Sequence, residues 1–89
     1  MNESFYFQVS APYKLFPTIT TGVVHLLPTE SLNGNLAVYD IFGRLVLKEN
    51  MLAQREQLQE FSLSGFASGV YFITFTSAGD LSAGRVIKE

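Results

Sequence analysis

Eighty-nine residues, 47% of them hydrophobic and 13% aromatic, make one domain with enough apolar side chains for a core. At this size folding buries only about 60–65% of the surface of the unfolded chain, so little stability is spare. Six basic against eight acidic side chains give a net charge of −2, which supplies neither the basic field that nucleic acid demands nor a polybasic membrane patch. Lacking Cys, the chain forms no disulfide. No apolar run approaches the roughly 18–20 residues that span a bilayer, and residues 1–12 lack the basic-then-apolar layout of a signal peptide, so an exported chain of this kind takes its leader from a longer parent.

Period-two patterning and turn residues recur about every 8–12 positions, the spacing of an all-β sandwich or barrel. Residues 5–9 (FYFQV) read as a first strand or lead-in, and residues 1–12 as a linker to a domain spanning 13–89. Pro12 and Pro17 confine the stretch that ends at Gly22 to a sheet edge or a linker. Residues 23–27 (VVHLL) alternate, with Val24 and Leu26 on one face and His25 on the other, until Pro28 ends them. The following loop, residues 29–35, carries the turn signal NGN.

Residues 36–40 (LAVYD) and 44–48 (RLVLK) flank a four-residue turn, with Asp40 first and Gly43 fourth as a type I turn requires. Asp40 can accept a hydrogen bond from the N–H two residues on, Gly43 supplies a positive φ, and Ile41 and Phe42 sit half exposed at the tip. Residues 47–61 lack Gly, Pro and β-branched residues, and Leu47, Met51, Leu58 and Phe61 fall near helical spacing. Helix and strand therefore both stand for residues 48–57, with strand preferred because Phe61 and Leu63 continue as alternating residues. Residues 63–69 (LSGFASG) form a loop, residues 70–76 (VYFITFT) a central strand, residues 77–80 (SAGD) the last turn, and residues 81–88 the closing strand. The expected fold is an all-β, immunoglobulin-like Greek-key sandwich of about seven strands. Its predicted core is Val24, Leu26, Leu36, Val38, Leu45, Phe61, Leu63, Tyr71, Ile73 and Phe75.

Chemistry is sparse. Tyr71 follows Gly69 at the start of a central strand, where the tyrosine-corner residue of such sandwiches ties a crossover loop to the sheet. His25 is the only histidine and has no Cys or His with which to share a metal. One histidine on a polar strand face makes no triad with the plentiful serines, so no enzyme is expected. The carboxylates are scattered through turns, strand ends and termini and show neither a calcium-loop spacing nor a glycosidase dyad. No cofactor or metal is called for. The ending GRVIKE reads as an edge strand whose charges guard it from aggregation. Together with residues 5–9 it offers an edge for weak homodimer pairing.

The segments VYDIFGRLV, LSGFASGVYFITF and GRVIK, in this order, resemble the C-terminal sorting domain of type IX secretion cargo in Bacteroidetes. The resemblance covers about residues 13–88. LFPTITTG matches the family's Tyr-Pro-Asn-Pro-Thr-x-Gly opening at Pro17, at Thr20 or Thr21, and at Gly22, while Thr18 and Ile19 depart from it. Val38, Tyr39, Asp40, Gly43 and Arg44 match the hairpin; Leu63, Ser64, Gly65, Ala67, Gly69, Val70 and Tyr71 match the central signature. Gly84 and the Arg85, Val86, Ile87, Lys88 ending match the basic-apolar-apolar-basic terminus. The resemblance implies a strand, loop and strand in residues 47–61. It also implies a non-catalytic export signal that passes through the periplasm to the outer-membrane surface or beyond. Translocon and shuttle proteins would read it, and a sortase usually cuts it off and links the cargo to anionic lipopolysaccharide. The rival reading is an adhesion or carbohydrate-binding module, for which Tyr6, Tyr13, Tyr39 and Phe42 are the candidate aromatic platform.

Overall fold

A computed structural model describes residues 12–77 and 79–89; the strand expected at residues 5–9 lies outside them. Eight strand segments follow in order: β1 (Tyr13–Phe16), β2 (Ile19–Thr20), β3 (Val23–Pro28), β4 (Leu32–Tyr39), β5 (Leu45–Ala53), β6 (Gln59–Ser62), β7 (Gly69–Ser77) and β8 (Asp80–Lys88). They make two sheets, β1-β3-β6 and β2-β8-β7-β4-β5, packed as an all-β sandwich. The chain changes sheet at the cis Phe16–Pro17 bond, where β1 leaves its antiparallel partner β3 and β2 takes up parallel pairing with β8. This strand order is consistent with immunoglobulin-like Greek-key connections. Residues 47–61 are strand, loop and strand, because the two halves pair with different sheets, β5 with β4 and β6 with β3.

The apolar run of β7 occupies the middle of the five-stranded sheet, where both neighbours satisfy its backbone. Its alternation sends Tyr71, Ile73 and Phe75 inward against Leu36, Val38 and Val86, and β3 and β6 send Val24, Leu26 and Phe61 to meet them. Tyr13 joins this core by packing edge-on against Phe75 at 5.9 Å, and its hydroxyl accepts a hydrogen bond from Ser82 Oγ at 2.9 Å. Burial pushes the Tyr13 phenol above its ordinary pKa.

Two expectations are corrected by cross-strand geometry. Leu45 is 51% exposed, not core. Val38 pairs with Leu47 but Tyr39 pairs with Leu45, so Val46 is one extra residue in β5, and the slip turns Leu45 to the outer face. The NGN motif is not a turn but lies inside β4. A Cβ at Gly34 would stand 2.1 Å from the Thr76 carbonyl oxygen, so glycine is there to let β4 and β7 approach, and the turn is confined to residues 29–31.

One free edge of the larger sheet is β5, and it is guarded. Glu49 stands opposite the buried Leu36, an inward register position, yet is exposed at the rim. A charge aimed inward from an edge strand opposes pairing with a second sheet.

A recognition surface as the candidate functional site

The sequence motifs separate by what their side chains and backbones touch. In the opening segment, Thr20 Oγ1 accepts the Gly22 N–H at 3.0 Å and donates to the Val23 carbonyl at 2.6 Å. It is thus Thr20, not Thr21, that serves the turn. Gly22 is buried; its carbonyl accepts the Leu63 N–H at 2.7 Å, and its Cα lies close to Ser64, leaving 3.2 Å for an added Cβ. Just before it, the carbonyls of Thr18 and Thr20 accept the N–H groups of Ile87 and Glu89, both at 2.8 Å. The segment from Pro17 to Gly22 therefore ties the central signature to the terminal strand.

The hairpin closes as its residue types require. The Gly43 N–H donates to the Asp40 carbonyl at 2.9 Å with Gly43 at φ 83°. Asp40 Oδ1 accepts the N–H groups of Phe42 and Arg44, each at 2.9 Å, and Oδ2 accepts Arg44 Nε at 2.7 Å. The Arg44 N–H, followed by the Arg44 side chain and the Phe42 N–H, holds the Asp40 carboxyl below its ordinary pKa despite partial desolvation. Anchored this way, the tip leaves Ile41 and Phe42 in solvent, Phe42 80% exposed with the Arg44 guanidinium 5.4 Å from its ring centre. The two are further out than half exposed.

The tyrosine corner is present. Tyr71 Oη donates to the Ala67 carbonyl at 2.5 Å, fixing the loop that ends at Gly69, and Phe66 packs on the Tyr71 ring at 6.0 Å. The Tyr71 hydroxyl is thus spent on the fold. Lys88 serves the same loop: its Nζ donates to the Phe66 carbonyl at 2.8 Å. Lys88 is therefore not a free surface charge, which corrects the view of it as a guard on an edge. Nor is the end of β8 an exposed edge, because residues 87 and 88 pair with β2 on one side and β7 on the other. What remains open is the stretch of β8 upstream of Ile87. Gly84 faces inward, with Leu15 Cδ1 only 2.8 Å from where a Cβ would be, and Val86 is fully buried.

The outward members of these motifs converge. Cross-strand register aligns Arg85, Phe72, Tyr39 and Leu45 in one row across β8, β7, β4 and β5. The next row toward the hairpin end holds Ile19, Ile87 and Val70. Ile19, Phe72 and Leu45 are exposed, and the Ile41–Phe42 tip extends this end of the sheet. Toward the other end the rows are mainly polar, through Thr74, Lys48, Thr76, Asn35 and Asn50, with Leu81 and Leu52 exposed among them. Phe72 and Ile19 carried no sequence motif; the signal for Phe72 was its phase, opposite to Tyr71 and Ile73 within an apolar run.

Other features offer less chemistry. His25 stacks on Phe16 at 5.4 Å and lies 3.6 Å from Glu60, its cross-strand neighbours on the outer face of the smaller sheet. A shallow open depression of about 340 Å³ between the ends of β4 and β5 is lined by Ser31, Leu32, Asn33, Leu52, Ala53, Gln54 and Gln57, none of them titratable. Among the described residues no cluster of His, Asp or Glu could hold a metal ion, and no helix is long and apolar enough to cross a membrane. Among the described residues the expected aromatic platform is not assembled. Tyr13 is in the core, Tyr6 lies outside the described residues, and only Tyr39 and Phe42 share a surface.

Residues 14–89 match the family model of the secretion system C-terminal sorting domain. No curated protein matches the chain.

Proposed function

From the premise that this chain belongs to the secretion system C-terminal sorting domain family, as a type IX sorting signal, we propose that the folded sandwich is read by translocon and shuttle proteins. In this reading it crosses the periplasm and is usually processed by a sortase at the cell surface. The domain proper starts at about residue 13, with residues 1–12 as the linker to the exported partner. The observation that carries this is the extent of the match, which takes in all but the first residue of the eight strand segments. The family is one of signals, not catalysts, and a β domain of this kind offers its partners strand edges, turn tips and alternating side chains.

The terminal strand remains the proposed centre of the address, in a form the geometry refines. Ile87 and Glu89 are hydrogen-bonded to the opening segment, so peeling this strand off would also undo β2. Recognition of Arg85 and of the open edge before it needs no unfolding. The test fuses residues 1–89 to a periplasm-targeted reporter in a type IX-competent bacterium and compares the parent with Arg85→Gln. Surface delivery of the parent and periplasmic retention of a variant with unchanged melting temperature are expected. Equal delivery of both would remove Arg85 from the address, and failure of the parent fusion would overturn the sorting role itself.

A further inference from the structure

We propose that the hairpin end of the outer face of the five-stranded sheet, together with the Ile41–Phe42 tip, docks a protein surface that is apolar and bordered by carboxylates. The inference rests on the sorting reading and names the chemistry of the partner. Exposed apolar side chains are normal singly, but five of them, Ile19, Leu45, Phe72, Ile41 and Phe42, gather at the hairpin end of this face, against Leu81 and Leu52 at its other end. A contiguous apolar patch on a small domain marks an interaction site, and aromatic and arginine side chains are the residues that dominate such sites.

Charge selects the partner. The chain as a whole is acidic, yet the charged residues that strand register places on this face are basic, Arg85 in the patch itself and Lys48 in the more polar rows beyond it. Glu49 and Asp80, the carboxylates of the same strands, occupy the opposite phase. Arg85 stands in the row with Phe72 and makes no ion pair with a described residue. A second copy presenting the same face would offer Arg85 no carboxylate from these strands. An anionic bilayer would meet a chain of net charge −2 with too few cations on this face to hold it. A carboxylate-rimmed apolar protein surface complements both the patch and its charge.

The test uses the same 1–89 reporter fusion with Phe42→Ser and Phe72→Thr combined, Arg85→Glu against Arg85→Lys, and Leu52→Ser as control. Leu52 is 80% exposed on the same face but at its polar end. The combined variant and Arg85→Glu are expected to lose surface delivery by about tenfold or more, as for truncation of interface hot spots, while Arg85→Lys and Leu52→Ser deliver like the parent. Should Phe72→Thr lower the melting temperature, Phe42→Ser alone carries the comparison. Parent-like delivery by folded Phe42→Ser and Arg85→Glu variants overturns the proposal, as does an equal loss with Leu52→Ser. Two measurements on the purified chain discriminate the other occupants. Co-sedimentation with phosphatidylethanolamine–phosphatidylglycerol vesicles that Phe42→Ser abolishes would assign the patch to lipid. A concentration-dependent dimer that Phe42→Ser abolishes would assign it to a second copy. A parent fusion that stays in the periplasm defeats the sorting role, and this inference with it.

Discussion

The opening segment and the hairpin tip are both short motif-bearing turns, but they spend their residues differently. Between Pro17 and Gly22 three backbone carbonyls reach other elements, those of Thr18 and Thr20 holding β8 and that of Gly22 holding Leu63, and the Thr20 side chain closes the turn. At the tip, one carboxylate satisfies the backbone from within the turn, so Ile41 and Phe42 contribute little to folding. The contrast teaches that resemblance to a family signature does not mark a residue as part of a binding site. Some signature residues build the sandwich, and others are held out by it.

This division can be broken most forcefully in the interior. Ile73→Ala, at a fully buried site, should cost about 2–5 kcal/mol in chemical denaturation; a loss under about 0.5 kcal/mol would place it on the surface. Gly34→Ala forces a methyl toward the Thr76 carbonyl and should cost about 1–3 kcal/mol by the same measurement. Neutral behaviour there would mean that β4 and β7 are not so close.

Lys88→Gln against Arg85→Gln sharpens the comparison within a single strand. Lys88 loses a charged hydrogen bond to the Phe66 carbonyl, about 1 kcal/mol after allowing for its partial exposure. Arg85 is exposed, and its replacement should change stability by under about 0.5 kcal/mol. Equal melting temperatures for the two variants would return Lys88 to the surface. The Tyr13 phenol gives a pH test. Because its folded pKa is raised, its stabilisation is complete below the unfolded value and falls as pH climbs from there through the folded value. Thermal melts should therefore show an alkaline loss in the parent that is smaller in Tyr13→Phe. The least effect on stability belongs to Phe42→Ser, within about 0.5 kcal/mol, which is what makes it useful as a functional probe.

Features settled by local chemistry were legible in the sequence. The Asp40–Gly43 hairpin needs only its own residues, and the tyrosine corner only the spacing from Gly69 to Tyr71. Period-two alternation gave most of the core. What was misread depended on a partner distant in the chain. Gly34 answers to Thr76, Lys88 to Phe66, and Leu45 to a bulge visible only once β4 and β5 are paired. Tyr13 entered the core because Phe75 and Ser82 meet it there, whereas its composition alone suggested a surface aromatic. The candidate site was the least legible, since Ile19, Tyr39, Phe72 and Arg85 lie far apart in the chain and only register makes them neighbours.

The parallel pairing of β2 with β8 also has a mechanical consequence. A pull applied at residue 12 and resisted at residue 89 draws these strands along their length in opposite directions. The bonds from Ile87 and Glu89 to Thr18 and Thr20 are then loaded in shear, together, instead of being unzipped one after the other. A sandwich loaded this way resists opening more than one whose first bonds yield singly.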